Sequence, residues 1–578
     1  MKRWMYSALI ATATLVGCTQ NGALSPAQRS ATQASGASPG SRVLTVGIAN
    51  EPPSVGAVAP IAGGFGSSFS YRPFNELLEI VDDRGIAHPA LAEALPVLNT
   101  DTWQVFPDGT MLTTYRLKPN LTWHDGAKLT ADDFVFSYHV LMTPGLGFIN
   151  GKSAPLNHID DVQAPDERTI VIHWTSPFPG ADVLQQGGSI LGLPALPRHI
   201  LEGVYRDGSP DAFGAHPYWN TAFIGTGPYK LDRWEFGSFI DASAFDGYVF
   251  GRPKIDHLKI LFVEDPNVAL SYLRAGTILF ATDSAIDFPQ ALELKKDWGP
   301  THRGVFQYTA RSLRSIVFQF RPEYVNPKSL LDVRVRKAIA YAVDKQAINE
   351  ALFGGEGQTI DSIFDNRADF YPQIDAVITK YPLDLRSSER LMNDAGFRKG
   401  TDGTYSGPDG RFVADYRSGI GAEGDAERAI IGNTLRQAGF DVTETPQSQA
   451  QSRDGEARGT FPGMYGQSTG AGESNQVASL STDQVAGPAN RWTGRNRQGW
   501  SNAQFDDLAQ QLDTTLDRNR GNQIRVQIAK LVSEEVPEIM MFWNLNPEVF
   551  VSDLEGPVQT ALLATGGASW NMYQWELR

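Results

Sequence analysis

The sequence predicts an α/β fold, divided into at least two lobes around mixed sheets, and three observations carry that expectation. Strand-like and helix-like stretches alternate from residue 43 onward instead of segregating, which is the pattern of α/β lobes. An apolar share of 41% with 20% charged residues suits a folded chain and argues against wholesale disorder. The 578 − 17 = 561 residues beyond residue 17 are too many for one hydrophobic core. The 50 Lys and Arg against 65 Asp and Glu leave a formal charge of −15, which repels phosphate backbones and argues against a nucleic-acid partner. Cys18 is the single cysteine, so an intramolecular disulfide, a Cys-based zinc site and an iron–sulfur cluster are all excluded.

The first element is a leader. Lys2 and Arg3 precede a mostly apolar run over residues 4–16. That run is shorter than the roughly 20 residues of a membrane span but fits the apolar region of a secretory signal. It ends in Leu15-Val16-Gly17-Cys18, which resembles the bacterial lipobox. The resemblance implies a signal peptide over 1–17, cleavage before Cys18 and a diacylglycerol on its sulfur; the alternative is an ordinary signal peptide that contains a cysteine. Residues 18–42 are rich in Ser, Ala, Gln, Thr and Gly, without an apolar period. They read as a mobile tether spanning roughly 25–30 Å. No later segment has 18 consecutive apolar residues, so the body is expected outside the cytoplasmic membrane, held there by the lipid.

Residues 43–48 read as a buried strand, mostly apolar and β-branched. Glu51-Pro52-Pro53 ends it, and a glycine-rich loop follows at Gly63-Gly64-Phe65-Gly66. The chain is extended around 112–123 and turns at Asp125-Gly126. Thr130 then opens a helix, with Asp132 and Asp133 at the positive end of its dipole and Pro144-Gly145 at its close. Residues 229–250 look like two paired strands, 259–263 a further strand, and 268–275 a short helix ending at Gly276. Asp332 opens the clearest helix, with Val335, Ile339, Ala342 and Val343 on one face. Asp344 restarts the pattern until Gly354-Gly355 stops it. Residues 385–395 and 426–438 are helical, each closing at Gly-Phe. Residues 441–500 are polar with little period, 505–536 form a long helical region, and 539–543 a buried strand.

Five stretches in order resemble the peptide/nickel (oligopeptide- and dipeptide-binding) family of extracytoplasmic solute-binding proteins of ABC importers. They are Phe74-Asn75-Glu76-Leu77-Leu78 with Pro89-Ala90-Leu91-Ala92-Glu93; Trp123-His124-Asp125-Gly126 with Leu129 to Phe134; Gly225-Thr226-Gly227-Pro228-Tyr229-Lys230; Asp332 to Ala338 with Ala342 and Asp344; and Trp500-Ser501-Asn502 with Phe505-Asp506. In the last, Ala503 stands where the family usually has Pro. The resemblance implies a two-lobed clamshell of the type II periplasmic-binding-protein kind. Carried over by position, lobe I is 43–264 with 546–578, including an extra subdomain at 72–190, and lobe II is 265–545. The hinges then fall near 264–267 and 544–547, each with a Pro after an apolar strand.

Most of these motifs read as structural. Trp123 is expected as a core anchor, Asp132 and Asp133 as a capping pair, and Gly225 and Gly227 as a turn that needs glycine for its backbone angles. For ligand contacts the resemblance points to the loop 63–68, with Gly64 and Phe65, and to 461–468, with Met464, Tyr465 and Gln467. Peptide-binding members carry an acid near Gln467 that pairs with the peptide's α-ammonium; a neutral amide lacks that charge, which Glu473 could supply instead. In 490–497, the three arginines Arg491, Arg495 and Arg497 beside Trp492 could grip carboxylates or stack on a planar or sugar face; the plain reading is a solvated loop. None of the nine histidines forms a tight cluster with another, which argues against a bare metal ion.

The expectation is therefore binding without chemistry and without a cofactor. Its partners are a peptide or other small polar solute such as an oligosaccharide, the permease subunits of an importer, and the membrane through the lipid; the protein itself is expected as a monomer. A sensor that reports ligand to a membrane receptor would carry the same clamshell. Gly466-Gln467-Ser468-Thr469-Gly470 also fits the nucleophile elbow of a hydrolase, but that elbow needs a strand before it and a helix after it, and neither is legible there.

Overall fold

The computed structural model describes residues 42–60, 68–146, 148, 155–184, 192–282, 285–408, 410–470, 472–559 and 567–578. The leader, Cys18 and the tether before residue 42 lie outside the described residues, as do Gly64 and Phe65. Ten strands build the main sheet: β1 (Val43–Ile48), β2 (Tyr229–Glu235), β3 (Phe239–Ala244), β4 (His257–Phe262), β5 (Phe280–Ala281), β6 (Gly304–Phe318), β7 (Val413–Gly419), β8 (Asp441–Gln447), β9 (Met464–Gly470) and β10 (Glu538–Val551). Their order across the sheet is β8-β7-β9-β6-β10-β5-β1-β4-β3-β2. The helices that matter below are α1 (Ala131–Met142), α2 (Pro266–Ala275), α3 (Phe288–Trp298), α4 (Val333–Ala340), α5 (Lys345–Phe353), α6 (Leu385–Asp394), α7 (Ala422–Ala438), α8 (Gln449–Arg453), α9 (Gly455–Gly459), α10 (Glu473–Ala478), α11 (Ala503–Thr514) and α12 (Arg518–Glu535).

β1 lies between β4 and β5, parallel to both, which is why its sequence is an apolar run with little alternation. A second, four-stranded antiparallel sheet joins Trp103–Val105, Met111–Arg116, Thr169–Trp174 and Ile159–Asp166. Its buried side chains merge with those of β1 to β4 and of α1 in one core that includes Leu44, Tyr115, Phe134, Ile172, Tyr229 and Trp575. A second core packs Ile316, Val335, Ile339, Leu435, Met464 and Ile539 under α4, α5, α6 and α7. A third packs Leu313, Trp500, Phe505, Ile528 and Trp543 under α11 and α12. β10 enters the second and third cores through Ile539–Trp543 and the first through Phe550, with β6 antiparallel beside it throughout. The pairing shifts register between Ala310 and Ser312 and again between Arg314 and Ser315.

The chain does not cross between cores at 264–267. There Asp265 accepts the Asn267 N–H at 2.8 Å and caps α2. β5 then pairs with β1, and Ala269, Leu273 and Trp298 pack against Val549. At 544–547 there is no break either, because Pro547 sits inside β10 opposite Tyr308. β5 reaches β10 only at Val549 and Phe550, so among the described residues β10 has no strand on its other side at Pro547. Residues 441–500, which show no period, hold β8, β9 and three short helices. β9 escapes pattern reading because Met464, Tyr465, Gly466 and Gln467 are buried in succession, so polarity does not alternate along it. The region 505–536 is two helices, divided where Asp517 accepts the Arg520 N–H and caps α12.

Three of the recognised motifs prove to be one joint. Gly227 N–H donates to Phe74 O at 3.0 Å, and Thr226 Oγ1 accepts the Glu76 N–H at 3.0 Å. His124 accepts the Gly225 N–H on Nδ1 at 3.2 Å, so its proton is on Nε2, which donates to Gly227 O at 2.9 Å. The two glycines are required by close approach and not by backbone angles: neither has positive φ, but a Cβ on Gly225 would lie 1.9 Å from Phe74 O and one on Gly227 2.4 Å from Asn75 N. Trp123 is buried as expected. Of the capping pair read from sequence, Asp133 closes a capping box with Thr130, accepting its N–H at 2.9 Å, whereas Asp132 is exposed and lies 3.5 Å from Arg198. Burial lifts the Asp133 carboxyl above its usual range although Thr130 and Arg198 N–H groups and the Trp123 indole donate to it.

Burial holds His124 neutral and lowers its pKa to about 4. The unfolded imidazole takes up a proton near pH 6.5, so the stability that neutral His124 contributes is lost as pH falls from about 6.5 to about 4. A shift of this size is worth about 3 kcal/mol. Urea melts at pH 7 and pH 4 should therefore show the parent losing about 3 kcal/mol more than a His124→Gln variant over that interval; parallel losses would contradict this role.

Candidate functional site

Strands β7 and β8 run parallel in register from Val413–Asp441 to Gly419–Gln447, and β9 joins β7 in parallel at Met464 and Tyr465. Their carboxyl ends thus share one rim, with the amino end of α7 rising from it at Ala422. In open α/β sheets this is where ligands sit, because loops diverge there and leave a crevice. The pairing of β7 with β9 stops at Tyr465, whereas β6 pairs with β9 up to Gly470. Among the described residues, Gly466 to Gly470 therefore pairs with no strand on that side, although Arg314 Nη1 donates to Gly466 O at 3.0 Å and Gln476 Nε2 donates to Thr469 O at 3.3 Å and Gly470 O at 3.0 Å; Ser468 and Gly470 are exposed.

The side of β9 facing α7 is held by a buried ion pair. Arg314 Nε and Nη2 donate to the two carboxylate oxygens of Glu427 at 2.6 Å each, and the Tyr416 hydroxyl donates to the same carboxylate at 2.6 Å. Burial would lower the Arg314 pKa, but Glu427 outweighs it and holds it above the usual value. Arg314 Nη1 also donates to Gly466 O at 3.0 Å and to Ser468 Oγ at 3.3 Å. Gly466 is glycine for this reason: a Cβ there would lie 2.6 Å from Arg314 Nη2 and 2.8 Å from the Tyr416 hydroxyl. Asn544, on the bulged stretch of β10, donates to Ser312 Oγ at 2.9 Å and to Ser468 Oγ at 3.1 Å. Burial raises the Asp287 carboxyl at the start of α3; Glu423 in α7 is raised by burial and then by the charge of Asp287.

The opposite side of β9 carries Tyr465 and Gln467. The Tyr465 ring lies 5.5 Å from that of Phe461. Gln467 is 3% exposed; its Nε2 donates to Thr469 Oγ1 at 3.2 Å, and its Oε1 has no hydrogen-bond partner among the described residues. Gln447, beside Gly419 at the end of β8, is likewise buried with an unpartnered Oε1. Ser315, opposite Gln467 on β6, donates to Glu538 at 2.6 Å, and burial pushes the Glu538 carboxyl up to about 7.

Of the residues singled out in the sequence, Tyr465 and Gln467 share one face of β9, whereas Met464 is closed inside the second core. Arg491 is exposed, and both it and Trp492 have left-handed backbone. Trp492 packs on α9, where a Cβ on Gly459 would meet its ring at 2.8 Å, and the Arg321 guanidinium lies 5.9 Å above it. Arg495 is exposed and donates to Asn475 Oδ1, beside the end of β9. Glu473 is already engaged by Arg525 at 2.6 and 2.8 Å, so its charge is spent. Asp287, Arg314, Glu423, Gln447 and Arg458 escaped sequence reading, whereas Arg497 was one of the three arginines read at 490–497. The Gly-x-Ser-x-Gly pentapeptide lies wholly within β9, and Ser468 Oγ is bonded by Arg314 and Asn544, not by a histidine. Among the described residues, no group of three or more His, Cys, Asp or Glu is placed to hold a metal ion.

The model of a family described as bacterial extracellular solute-binding proteins, family 5 (middle region) matches residues 89–487. A putative ABC transporter peptide-binding protein of Brucella ovis is 26% identical over 305 residues, 52% of this chain and 51% of the relative, so the chain spans about half the length of that relative. The dipeptide-binding protein of Escherichia coli is 24% identical over 495 residues, 81% of this chain and 83% of the relative. Among solved structures, NikZ from Campylobacter jejuni in complex with Ni(L-His) superposes with a TM-score of 0.70 at 20% identity, covering 92% of this chain and 99% of that one. At that identity the likeness shows the fold, a two-lobed periplasmic-binding-protein architecture.

Removing Arg314 alone, as Arg314→Met, leaves the buried Glu427 carboxylate without its counter-charge, held only by the Tyr416 hydroxyl, and should cost about 3–5 kcal/mol in urea unfolding. The double variant with Glu427→Leu should recover much of that loss. Gly466→Ala, which forces a methyl into the same cluster, should cost about 1–3 kcal/mol. Parent-like melts for both single variants would show that the pair does not hold β9.

Proposed function

The chain belongs to the bacterial extracellular solute-binding proteins, family 5, and from that premise we propose that it captures a short peptide outside the cytoplasmic membrane and delivers it, unaltered, to an ABC importer. It is a binding protein and not an enzyme. The observation that carries the choice of ligand is that β9 from Gly466 to Gly470 pairs with β6 alone, leaving its other side without a strand at the rim of three parallel strands. An extended peptide adds to such an edge through main-chain hydrogen bonds, each worth about 0.5–1.5 kcal/mol, whatever its side chains. Gln467 and Gln447 supply neutral amide groups beside it. For the α-ammonium the acids proposed are Asp287 and Glu423, both exposed; the Glu423 carboxyl is raised first by burial and then by the Asp287 charge, which a cation would offset.

The two-lobed division is proposed to fall across β6 and β10. Most of 43–264 with 546–578 makes lobe I and most of 265–545 lobe II; the pairing of β5 with β1 supports carrying lobe I forward to the start of β6. Ligand stabilises the closed form because only there do both lobes touch it, and the closed form docks on the permease as a monomer. Leu15-Val16-Gly17-Cys18 supports lipid attachment at Cys18, with residues 19–42 as tether.

Calorimetric titration of the full-length protein with tri- to pentapeptides tests the reading. N-terminal acetylation should weaken binding at least tenfold in the parent, and Asp287→Asn or Glu423→Gln should abolish that discrimination. Equal affinity for free and acetylated peptides would remove the ammonium site, and no heat from any peptide would overturn the peptide itself.

A further inference from the structure

Resting on the reading of β9 as the ligand strand, we propose that Arg458 and Arg497 form an oxyanion subsite at the Tyr465 end of that strand and take the carboxylate of the bound solute. Arg458 projects from α9 and Arg497 from the loop before Trp500, and both are half-buried. Neither has a carboxylate neighbour among the described residues. Arg458 lies close enough to Tyr465 for the phenol to act on its charge, and its buried Nε has no partner among the described residues. The charge that Arg497 faces is Arg458: burial and then that like charge push its pKa down to about 10. In a chain with a formal charge of −15, two adjacent guanidinium groups without a counter-ion are an exception.

The pair is also rigidly mounted. Arg321 donates to Gly459 O and Arg497 O at 2.7 Å each and to Ala486 O at 2.5 Å, which ties the end of α9 to the loop that carries Arg497. Gln319 Nε2 adds bonds to Gly459 O at 3.1 Å and Phe461 O at 2.7 Å. Trp492 fills the space over Gly455 and Gly459 on the same helix. Buried like charges held in place against their repulsion destabilise the empty protein, and an anion supplied from outside reverses that cost. Tyr465 lies two residues from Gln467 on the same face of β9, about 7 Å along the strand, so the anion would sit in line with a ligand on the open edge. Planar guanidinium donors suit a carboxylate, which a peptide carries at its C-terminus.

Thermal melts of the full-length protein in succinate, in phosphate and in chloride of equal ionic strength test this. Succinate should raise the melting temperature of the parent by at least about 2 °C over chloride. Arg458→Gln and Arg497→Gln should lose that shift, and the surface control Arg84→Gln should keep it. In chloride both Gln variants should melt at or above the parent, because each removes an uncompensated charge; a lower melt in both would give the arginines a structural role and overturn the subsite. Equal succinate shifts in parent and variants would overturn it too, and a larger shift with phosphate would overturn the carboxylate assignment. A peptide and its C-terminal amide complete the test: the amide should bind about tenfold more weakly to the parent and as well as the acid to Arg497→Gln. If no peptide binds while the succinate shift still depends on both arginines, the peptide reading fails and the subsite stands.

Discussion

β6 and β10 run side by side from Gly304–Val551 to Val317–Glu538, and that ladder is anchored in hydrophobic cores at both of its ends. Sliding one strand past the other by a residue would turn every anchored side chain to the wrong face, so the register is locked. What the ladder tolerates is bending at its two register shifts, between Ala310 and Ser312 and between Arg314 and Ser315. Ser312 and Asn544 occupy that stretch, and Asn544 also bonds Ser468 on β9. A bend in the ladder is therefore transmitted by hydrogen bonds to the strand that carries the open edge.

Polar groups on the two sides of this ladder are treated in opposite ways. In the joint of Phe74, His124 and Gly225 to Gly227, backbone and imidazole donors and acceptors meet at 2.9–3.2 Å, and a network so satisfied is rigid. Around β9 the Arg314–Glu427 pair is satisfied too and fixes the strand from beneath. On the opposite face Gln467, Gln447 and Arg458 each keep a buried polar atom without a partner. Such atoms destabilise a fold by about 1–3 kcal/mol each, so Gln467 on β9, Gln447 on β8 and Arg458 on α9 carry a cost that an external partner would relieve.

The acidic balance of the chain acts at longer range. A formal charge of −15 discourages association with nucleic acid and anionic surfaces, yet it does not dictate the charge inside a site. Arg458 and Arg497 show the difference, since their field is local and arises from which neighbours they lack.

The sequence by itself determined the elements whose cues are local. Gly276 and Gly354 close α2 and α5 with left-handed backbone, Asp332 caps α4, and the apolar run of β1 identified a buried central strand. Those cues depend on residues a few positions apart, as do the motifs that carried the family resemblance. β9 was not legible, because burial on both faces removes the alternation that betrays a strand. Nor was the place of β5 beside β1, because β5 is two residues long and its partner lies more than 230 positions away. It took distant contacts to place Met464 in the core while Tyr465 and Gln467 flank the rim, to engage Glu473 with Arg525, and to leave Arg458 and Arg497 without a carboxylate partner among the described residues. Whether a polar group is satisfied depends on partners that folding brings from distant segments, and a linear pattern holds no record of that distance.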